Sequence, residues 1–467
     1  MKKLTLLFTL AWWGQAERLE LQDVLDSVTR HYPPLAVALA ERELAEAELL
    51  MAQGKFDLTL RARADADRFG YYENERLFMG VEQATTWNGA GFYGGWRVGD
   101  GRFAPYEGKL DTRSYGEWSA GMKLPLLRDR AIDSKRADLR KAEIGRRLAS
   151  LSIDQQLLVI RQSATRRYWD WVAAAKRVEL AQAMLDIAAA RDHFLRESAQ
   201  AGQVAAIEVT ENARAILQRR SFVVEAERAL QQAAIELSLF YRDANGEPVL
   251  LSKDRAPEAF PSLRTIDETK FLADVEAAIR KRPDLLRVEA QRDRIEVDRK
   301  AAMNDRLPGV DFQLGFTAES GRGDVRRGPN EMKAALVFDL PLQRRTASGK
   351  LRDAEVKLRQ VAQRGRFARD QVAAEVRDAA SAVRAAHERA ALIEKELTVA
   401  RELEEAERAR FQLGDGTLFL VNLREQISAD TANRHIGAVN DYFRTWAQYE
   451  YAVAAEVPMG VAAISRP

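Results

Sequence analysis

Two stretches of the chain alternate strictly between apolar and polar residues. The first begins at Phe56 and the second at Val310. An alternation with period two predicts β-strands that carry one apolar face. Two further alternating segments, 118–126 and 332–340, follow the first two. The positions predicted to form apolar faces include Phe56, Leu58, Leu60, Val310, Phe312, Leu314, Phe316, Leu336 and Phe338.

Each of these strands has the length that a tilted strand needs to cross a lipid bilayer, about 9–11 residues. A soluble sandwich would show the same alternation for any single strand. Aromatic residues favour the membrane interpretation, because 13 of the 37 lie between Phe56 and Trp118, as expected for the interface girdles of a membrane barrel. Four strands cannot close a barrel, since the smallest have about 8, so the barrel must be shared between copies.

Long helices are predicted over 129–241 and 346–453. Both segments lack proline, and glycine is scarce in them apart from Gly202 and Gly414 near the middle. Strong helix formers interrupted once predict two antiparallel helical hairpins. The first arm, of roughly 70 residues, would be about 100 Å long. A free coiled coil is the alternative, but interleaved alanines favour helices packed closely side by side.

The same order of elements occurs twice, about 215 to 250 residues apart. The segment 30–35 matches 280–285, and Leu124-Pro125-Leu126 matches Leu340-Pro341-Leu342. Such internal repetition predicts a duplicated unit. The predicted organisation is a signal peptide over 1–16, a first repeat over 17–241, a linker over 242–266, a second repeat over 267–453 and a tail over 454–467. Within the repeats, strands are expected over 56–127 and 308–342.

One predicted loop, 70–114, is long for a connection between two barrel strands. Asn88-Gly89 is a hairpin-turn signal inside it, flanked by the segments 78–87 and 90–98. An additional β-hairpin is therefore expected. The sequence leaves open whether this hairpin stands above the membrane or adds strands to the barrel.

The N-terminus has the pattern of an export signal, with Lys2 and Lys3 before an apolar run that ends at Trp13. No later segment is predicted to span a membrane as a helix. Charge is balanced, with 72 Lys and Arg against 70 Asp and Glu, which argues against a nucleic-acid partner. The absence of cysteine and the four scattered histidines predict neither a metal site nor a cofactor. No catalytic constellation is present in the sequence, so an enzyme is not expected.

Three stretches, 202–215, 282–285 and 411–414, resemble the TolC-like outer-membrane efflux and secretion channels. The resemblance extends over the whole mature chain. It implies a membrane β-barrel joined to a long α-helical barrel, formed by a homotrimer that shares twelve strands in outer-membrane lipid and a helical tunnel in the periplasm. It also implies a periplasmic adaptor and an inner-membrane RND or ABC transporter as partners.

The resemblance places the turns near Gly202 and Gly414 at the periplasmic entrance. Aspartates are common in the second turn of the family, whereas Leu420 and Leu423 occupy the matching positions here. The basic partner expected beyond the second glycine is replaced by Gly416. The residues predicted at the entrance are Gly202, Glu208, Phe411, Gly414, Asp415, Gly416, Leu420, Asn422 and Leu423.

The function expected from the sequence is therefore that of a passive outer-membrane exit duct for efflux or type I secretion. Two alternatives remain at this point. A periplasmic coiled-coil adaptor would share the long hairpins but not the membrane strands. The same channel could also be dedicated to polysaccharide export.

Overall fold

The structure is a computed structural model that describes residues 18–104, 106, 110–267, 269, 271–323 and 330–455. The predicted signal peptide, 1–16, lies outside these residues, as does most of the predicted tail. The chain forms two compact units. We call them the helical unit, which contains the described parts of 1–38, 153–282 and 369–467, and the sheet unit, which contains 39–152 and the described parts of 283–368.

The helices repeat in length as well as in order. The helices in chain order are α1 Leu21–His31, α2 Pro33–Gly54, α3 Ser134–Gln200, α4 Ala206–Ser238, α5 Phe271–Lys281, α6 Pro283–Asn304, α7 Arg345–Gln412 and α8 Leu418–Ala452. Helices α2 and α6 both have 22 residues, and α3 and α7 have 67 and 68. Pro33 and Pro283 occupy the first helical position, where the missing N–H removes no intrahelical hydrogen bond. No helix of the described residues has an apolar stretch long enough to span a membrane.

The strands of the described residues form one antiparallel sheet of six, arranged in chain order. The strands are β1 Thr59–Asp67, β2 Asn74–Ala84, β3 Gly91–Gly101, β4 Glu117–Pro125, β5 Gly309–Glu319 and β6 Asn330–Asp339. Strands β2 and β3 form the additional hairpin, and they pair with β1 and β4 on either side. The count of four strands for each chain is therefore wrong, because the hairpin is inserted into the sheet.

The connection from β4 to α3 is held by one buried arginine. The Arg136 guanidinium donates to the Arg130 carbonyl at 2.9 Å and to the Asp133 carboxylate at 2.7 Å. It also donates to the Asp129 carbonyl. Asp129 and Asn304 exchange hydrogen bonds of 2.8 and 3.0 Å. These contacts fix the end of the sheet at which the helices begin, which we call the helix end.

The helical unit has an aromatic core. The rings of Trp169 on α3 and Phe443 on α8 stack with centroids 3.9 Å apart, and Phe260 packs beside them. The Tyr442 hydroxyl donates to the Arg264 carbonyl and accepts from the Arg264 amide, both at 2.8 Å. Through Phe260 and Arg264, the segment between α4 and α5 is therefore packed against the helices.

Candidate functional site

The sheet has one apolar and one charged face. Opposed residues of an antiparallel pair point to the same side of a sheet, so the register assigns every residue to a face. Residues on the apolar face include Leu60, Leu77, Met79, Val81, Phe92, Trp96, Trp118, Met122, Val310, Phe312, Leu314, Phe316, Met332, Leu336 and Phe338. The charged residues on this face of the six strands are Glu75 and Asp100, and they lie at the end of the sheet opposite the helix end. Many of these apolar side chains are exposed in the single chain, which indicates that something apolar covers them.

Two predicted members of the apolar face lie before it. Phe56 and Leu58 precede β1, which begins at Thr59. The amides of Phe56 and Asp57 donate to the carbonyls of Gln53 and Gly54 at 2.9 and 3.1 Å. The chain leaving α2 thus makes a turn before it can extend. The other predicted positions all lie on the apolar face.

The opposite face carries ion pairs between neighbouring strands. Arg97 donates two hydrogen bonds, of 2.9 and 2.8 Å, to the carboxylate of Glu117. Lys123 lies 2.8 Å from the carboxylate of Asp311. Such a face is suited to water, so the two faces of the sheet match two different solvents.

The turns predicted at the entrance close the two helical hairpins of the helical unit. Gly202 and Gly414 follow α3 and α7 with φ values of 71° and 80°, a conformation that favours glycine. The Gln203 amide donates to Ser198 at 2.9 Å, and the Asp415 amide donates to Arg410 at 3.0 Å, so both helices end in a Schellman motif. The two turns therefore have the same geometry in both repeats.

The start of α8 presents an exposed apolar stripe. The Thr417 side chain accepts a hydrogen bond from the Leu420 amide at 3.4 Å and caps the helix. Leu420 and Leu423 are 37 % and 43 % exposed, and Ile427 lies on the same side of the helix. The predicted pair of leucines is thus on the surface of the single chain.

The other predicted entrance residues are divided among several contacts. Phe411 lies in the last turn of α7, Gly416 lies just before the Thr417 cap, and Glu208 lies in the first turn of α4. The Asp415 carbonyl accepts from Arg410 at 3.1 Å. Asn422 does not lie on the leucine stripe, because its side-chain oxygen accepts from Arg191 of α3 at 2.9 Å.

A buried carboxylate joins the four long helices near these turns. Glu425 on α8 has no exposed surface. Its carboxylate accepts from Arg219 of α4 at 2.7 Å, from Arg408 of α7 at 3.3 Å and from Arg191 of α3. One glutamate thus holds both hairpins together, and we call these four residues the Glu425 cluster.

The charged groups of the Glu425 cluster shift the pKa values of Glu425 and Arg191. Burial raises the pKa of Glu425, but the hydrogen bond from Arg219 and the charges of Arg191 and Arg219 outweigh burial, so this pKa lies below its usual range. Burial lowers the pKa of Arg191, and the nearby charges of Arg219 and Arg408 also lower it. Guanidinium groups remain protonated in proteins even so. The cluster is therefore fully ionised at neutral pH.

Sequence reasoning missed the Glu425 cluster, although one signal was present. Leu418, Val421 and Ser428 form the buried stripe of α8, and Glu425 occupies the position of that stripe between Val421 and Ser428. A carboxylate at a core position of a helix requires a charged partner. The partners lie between 17 and 234 residues away in sequence, so no local pattern identifies them. Among the described residues, no group of His, Asp or Glu side chains is arranged to hold a metal ion.

Comparisons with known proteins agree with this geometry. Residues 275–448 match the family model of the outer membrane efflux protein. No curated protein matches the chain by sequence. The fold is similar to that of the outer-membrane channel OprN, with a TM-score of 0.66 and 15% identity over 96% of this chain and 92% of that one.

Two further channels show the same fold. The Campylobacter jejuni CmeC outer membrane channel has a TM-score of 0.64 and 15% identity over 95% of this chain and 87% of that one. The outer membrane protein VceC from Vibrio cholerae has the same score and identity over 95% and 98%. The family and these neighbours are outer-membrane proteins and channels, not enzymes. Residues 275–448 are thus similar in sequence to the outer membrane efflux protein family, and nearly the whole chain has the fold of outer-membrane channels.

Proposed function

We propose that this protein is a passive exit duct of the outer membrane, formed by three copies of the chain. The observation that carries the proposal is the two-faced sheet. An apolar face of membrane-spanning height fits lipid, and the charged face fits a water-filled lumen. The family match and the fold of the neighbouring channels support the same assignment.

A shared barrel follows from the edges of the sheet. Within the described chain, the outer edges of β1 and β6 pair with no further strand. Unpaired backbone groups cannot face lipid, because no water is present there to bind them. Neighbouring copies would satisfy them. A twelve-stranded trimer requires four strands from each chain, and the six described strands do not fit that number.

The long helical hairpins would extend into the periplasm as a tunnel. A duct of this kind performs no chemistry, so the energy for transport would come from a partner in the inner membrane, an RND or ABC transporter, through a periplasmic adaptor. The exposed leucine stripe and the turns at Gly202 and Gly414 are the part of the chain that we assign to the entrance. Efflux is the function most directly supported by the family match, and secretion or polysaccharide export is the alternative for the cargo.

Fractionation of cells that produce the protein tests this proposal. We expect the chain in the outer-membrane fraction, extractable only with detergent and then able to form channels in planar bilayers. A periplasmic adaptor without lipid-facing strands would remain soluble after the signal peptide is removed. Recovery of a monodisperse soluble monomer would refute the duct.

A further inference from the structure

The hairpin of β2 and β3 is an integral part of the six-stranded sheet. Each of the two strands has 11 residues, and all of these residues are paired with one another from Asn74–Gly101 to Ala84–Gly91. Strand β1 is paired with β2 over its entire length. These lengths suit a strand that crosses the membrane. Residues 91–97 of β3 are also paired with β4, so the hairpin lies within the sheet between β1 and β4.

The charged face ties the hairpin to strands further along the sheet. A Cβ atom at Gly121 of β4 would lie 2.4 Å from the ring of Tyr93, and one at Gly315 of β5 would lie 3.0 Å from the Tyr93 hydroxyl. The side chain of Tyr93 on β3 thus extends over Gly121 of β4, and its hydroxyl reaches Gly315 of β5. Phe78 on β2 similarly covers Gly80 and Gly95. Large rings on glycines compensate for the missing side chains of a sheet, and here Tyr93 connects the hairpin to β4 and β5.

The hairpin turn is seated at the helix end. A Cβ atom at Gly89 would lie 2.4 Å from the carbonyl oxygen of Asp129 and 3.0 Å from both Arg136 and Pro125. Because Asp129 lies in the connection from β4 to α3 and Arg136 lies in the first turn of α3, the turn packs against the point where this helix begins. A hairpin standing above the opposite end of the sheet could not make this contact.

The stagger of the strands has the value of a closed barrel. One line of paired residues crosses the sheet through Thr59, Glu82, Tyr93, Gly121, Gly315 and Lys333. Thr59 begins β1, but Lys333 lies six residues before the end of β6 at Asp339. A shift of about 1.2 residues for each step between strands corresponds to a tilt of about 40°. Closed membrane barrels have tilts of about 35–45°.

We propose that β1 of one copy pairs with β6 of the next, and that three copies close a barrel of eighteen strands. This inference rests on the trimer proposed above, because three copies of the six described strands make eighteen. The first and last strands run in opposite directions, so the ladder at the seam is antiparallel like every other pair of the sheet. At the helix end, Arg61 and Arg63 on the charged face of β1 would approach Asp339 on the charged face of β6.

A wider duct follows from this strand count. Barrel diameter increases in proportion to the number of strands. At a tilt of about 40°, the wall would measure about 36 Å across between backbones, compared with about 24 Å for twelve strands. The cross-section is then about twofold larger. The barrel would admit a polymer or polypeptide chain, and selection among small solutes would not occur at this level.

Lipid quenching at single cysteines tests the position of the hairpin. The natural chain has no cysteine, so each introduced thiol can be labelled alone. Met79→Cys lies on the apolar face of β2, and Ala120→Cys lies on the same face of β4. With a fluorophore on the thiol and brominated lipids around the protein, we expect both labels to lose most of their emission. Arg76→Cys, on the charged face of β2, is the matched control and should retain it.

The results separate this inference from the proposed function. If Ala120→Cys is quenched and Met79→Cys is not, the hairpin lies outside the wall, and the eighteen-stranded barrel is refuted while the duct remains. If neither label is quenched, the proposed function fails as well. Native mass spectrometry of the same samples must show three copies, because two copies would close twelve strands and overturn the inference. Val81→Cys on the same face replaces Met79→Cys if that variant does not assemble.

Discussion

Replacement of Glu425 by alanine should destabilise the helical unit strongly. The glutamate is the only acidic group with which all three arginines of the Glu425 cluster form hydrogen bonds within the described contacts. The side chains of Arg219 and Arg191 are 6% and 12% exposed. Without Glu425, these two buried guanidinium groups would face each other with no common anion. The substitution therefore removes an attraction and adds a repulsion.

Glu425→Ala should lower the free energy of unfolding by about 3–5 kcal/mol, which is typical of removing one partner from a buried ion pair. Glu425→Gln should cost less than Glu425→Ala, since the amide oxygen can still accept a hydrogen bond. Glu396→Ala is the matched control, because its partner Arg434 is half exposed and the pair lies in the same unit. Exposed pairs contribute little, so this variant should unfold close to the wild type.

Denaturant unfolding of the detergent-extracted protein, followed by the circular dichroism of its helices, measures these differences. We expect the order wild type, Glu396→Ala, Glu425→Gln and Glu425→Ala from most to least stable. Equal unfolding midpoints for Glu425→Ala and Glu396→Ala would show that the buried cluster contributes no more to stability than a surface pair.

The pH dependence of stability follows from the lowered pKa of Glu425. A carboxylate with a lowered pKa in the folded state contributes stability above its unfolded pKa of about 4.3. That contribution is lost as the pH falls through the folded value. The difference in stability between wild type and Glu425→Gln should therefore be present at neutral pH and disappear in acid below the ordinary glutamate range. A difference that persists unchanged in strong acid would contradict the assigned ionisation.

Three further tests concern the lipid-facing strands, the topology and the proposed entrance. Leu314→Arg on the apolar face should destabilise the folded protein by about 2–4 kcal/mol and impair assembly. Thr317→Arg on the charged face should mainly change conductance. Equal tolerance of the two changes in assembly assays would show that this strand does not face lipid. A cysteine at Tyr71, at the end of the sheet opposite the helix end, should be labelled from outside intact cells. A cysteine at Trp87 should be labelled only after the outer membrane is permeabilised. The reverse pattern would show that the topology is inverted. Leu420→Asp should raise the cation selectivity of the channel in planar bilayers and its sensitivity to block by divalent cations, because a ring of acidic residues attracts cations. Unchanged values of both would show that Leu420 does not line the entrance.

The sequence predicted the elements of this fold well because their signals are local. Alternation with period two identified β5 and β6, and the glycines near the middle of the helical segments marked the turns at Gly202 and Gly414. Asn88-Gly89 located the turn of the additional hairpin. Whether that hairpin joins the sheet depends on pairing with β1 and β4, which no local pattern encodes, and the sequence therefore could not establish the six-stranded sheet.

The sequence predicted less of the candidate functional site than of the fold. The turns at Gly202 and Gly414 could be located from the sequence, but the contacts near them depend on four helices brought together by packing. Arg191 lies 234 residues from Glu425, and their ion pair exists only in the folded unit. Asn422 shows the same limitation, because its orientation toward Arg191 and away from the leucine stripe is decided by the neighbouring helix.

Electron cryomicroscopy of the complex extracted from outer membranes can determine whether the sheets of several copies form an outer-membrane duct. We expect a particle with threefold symmetry, in which the apolar sheet faces form a closed wall in the detergent belt around a water-filled axis. The wall should contain eighteen strands, six from each chain. A monomeric particle, or one whose apolar sheet faces are buried against protein away from the detergent, would contradict the assignment of this protein as an outer-membrane duct.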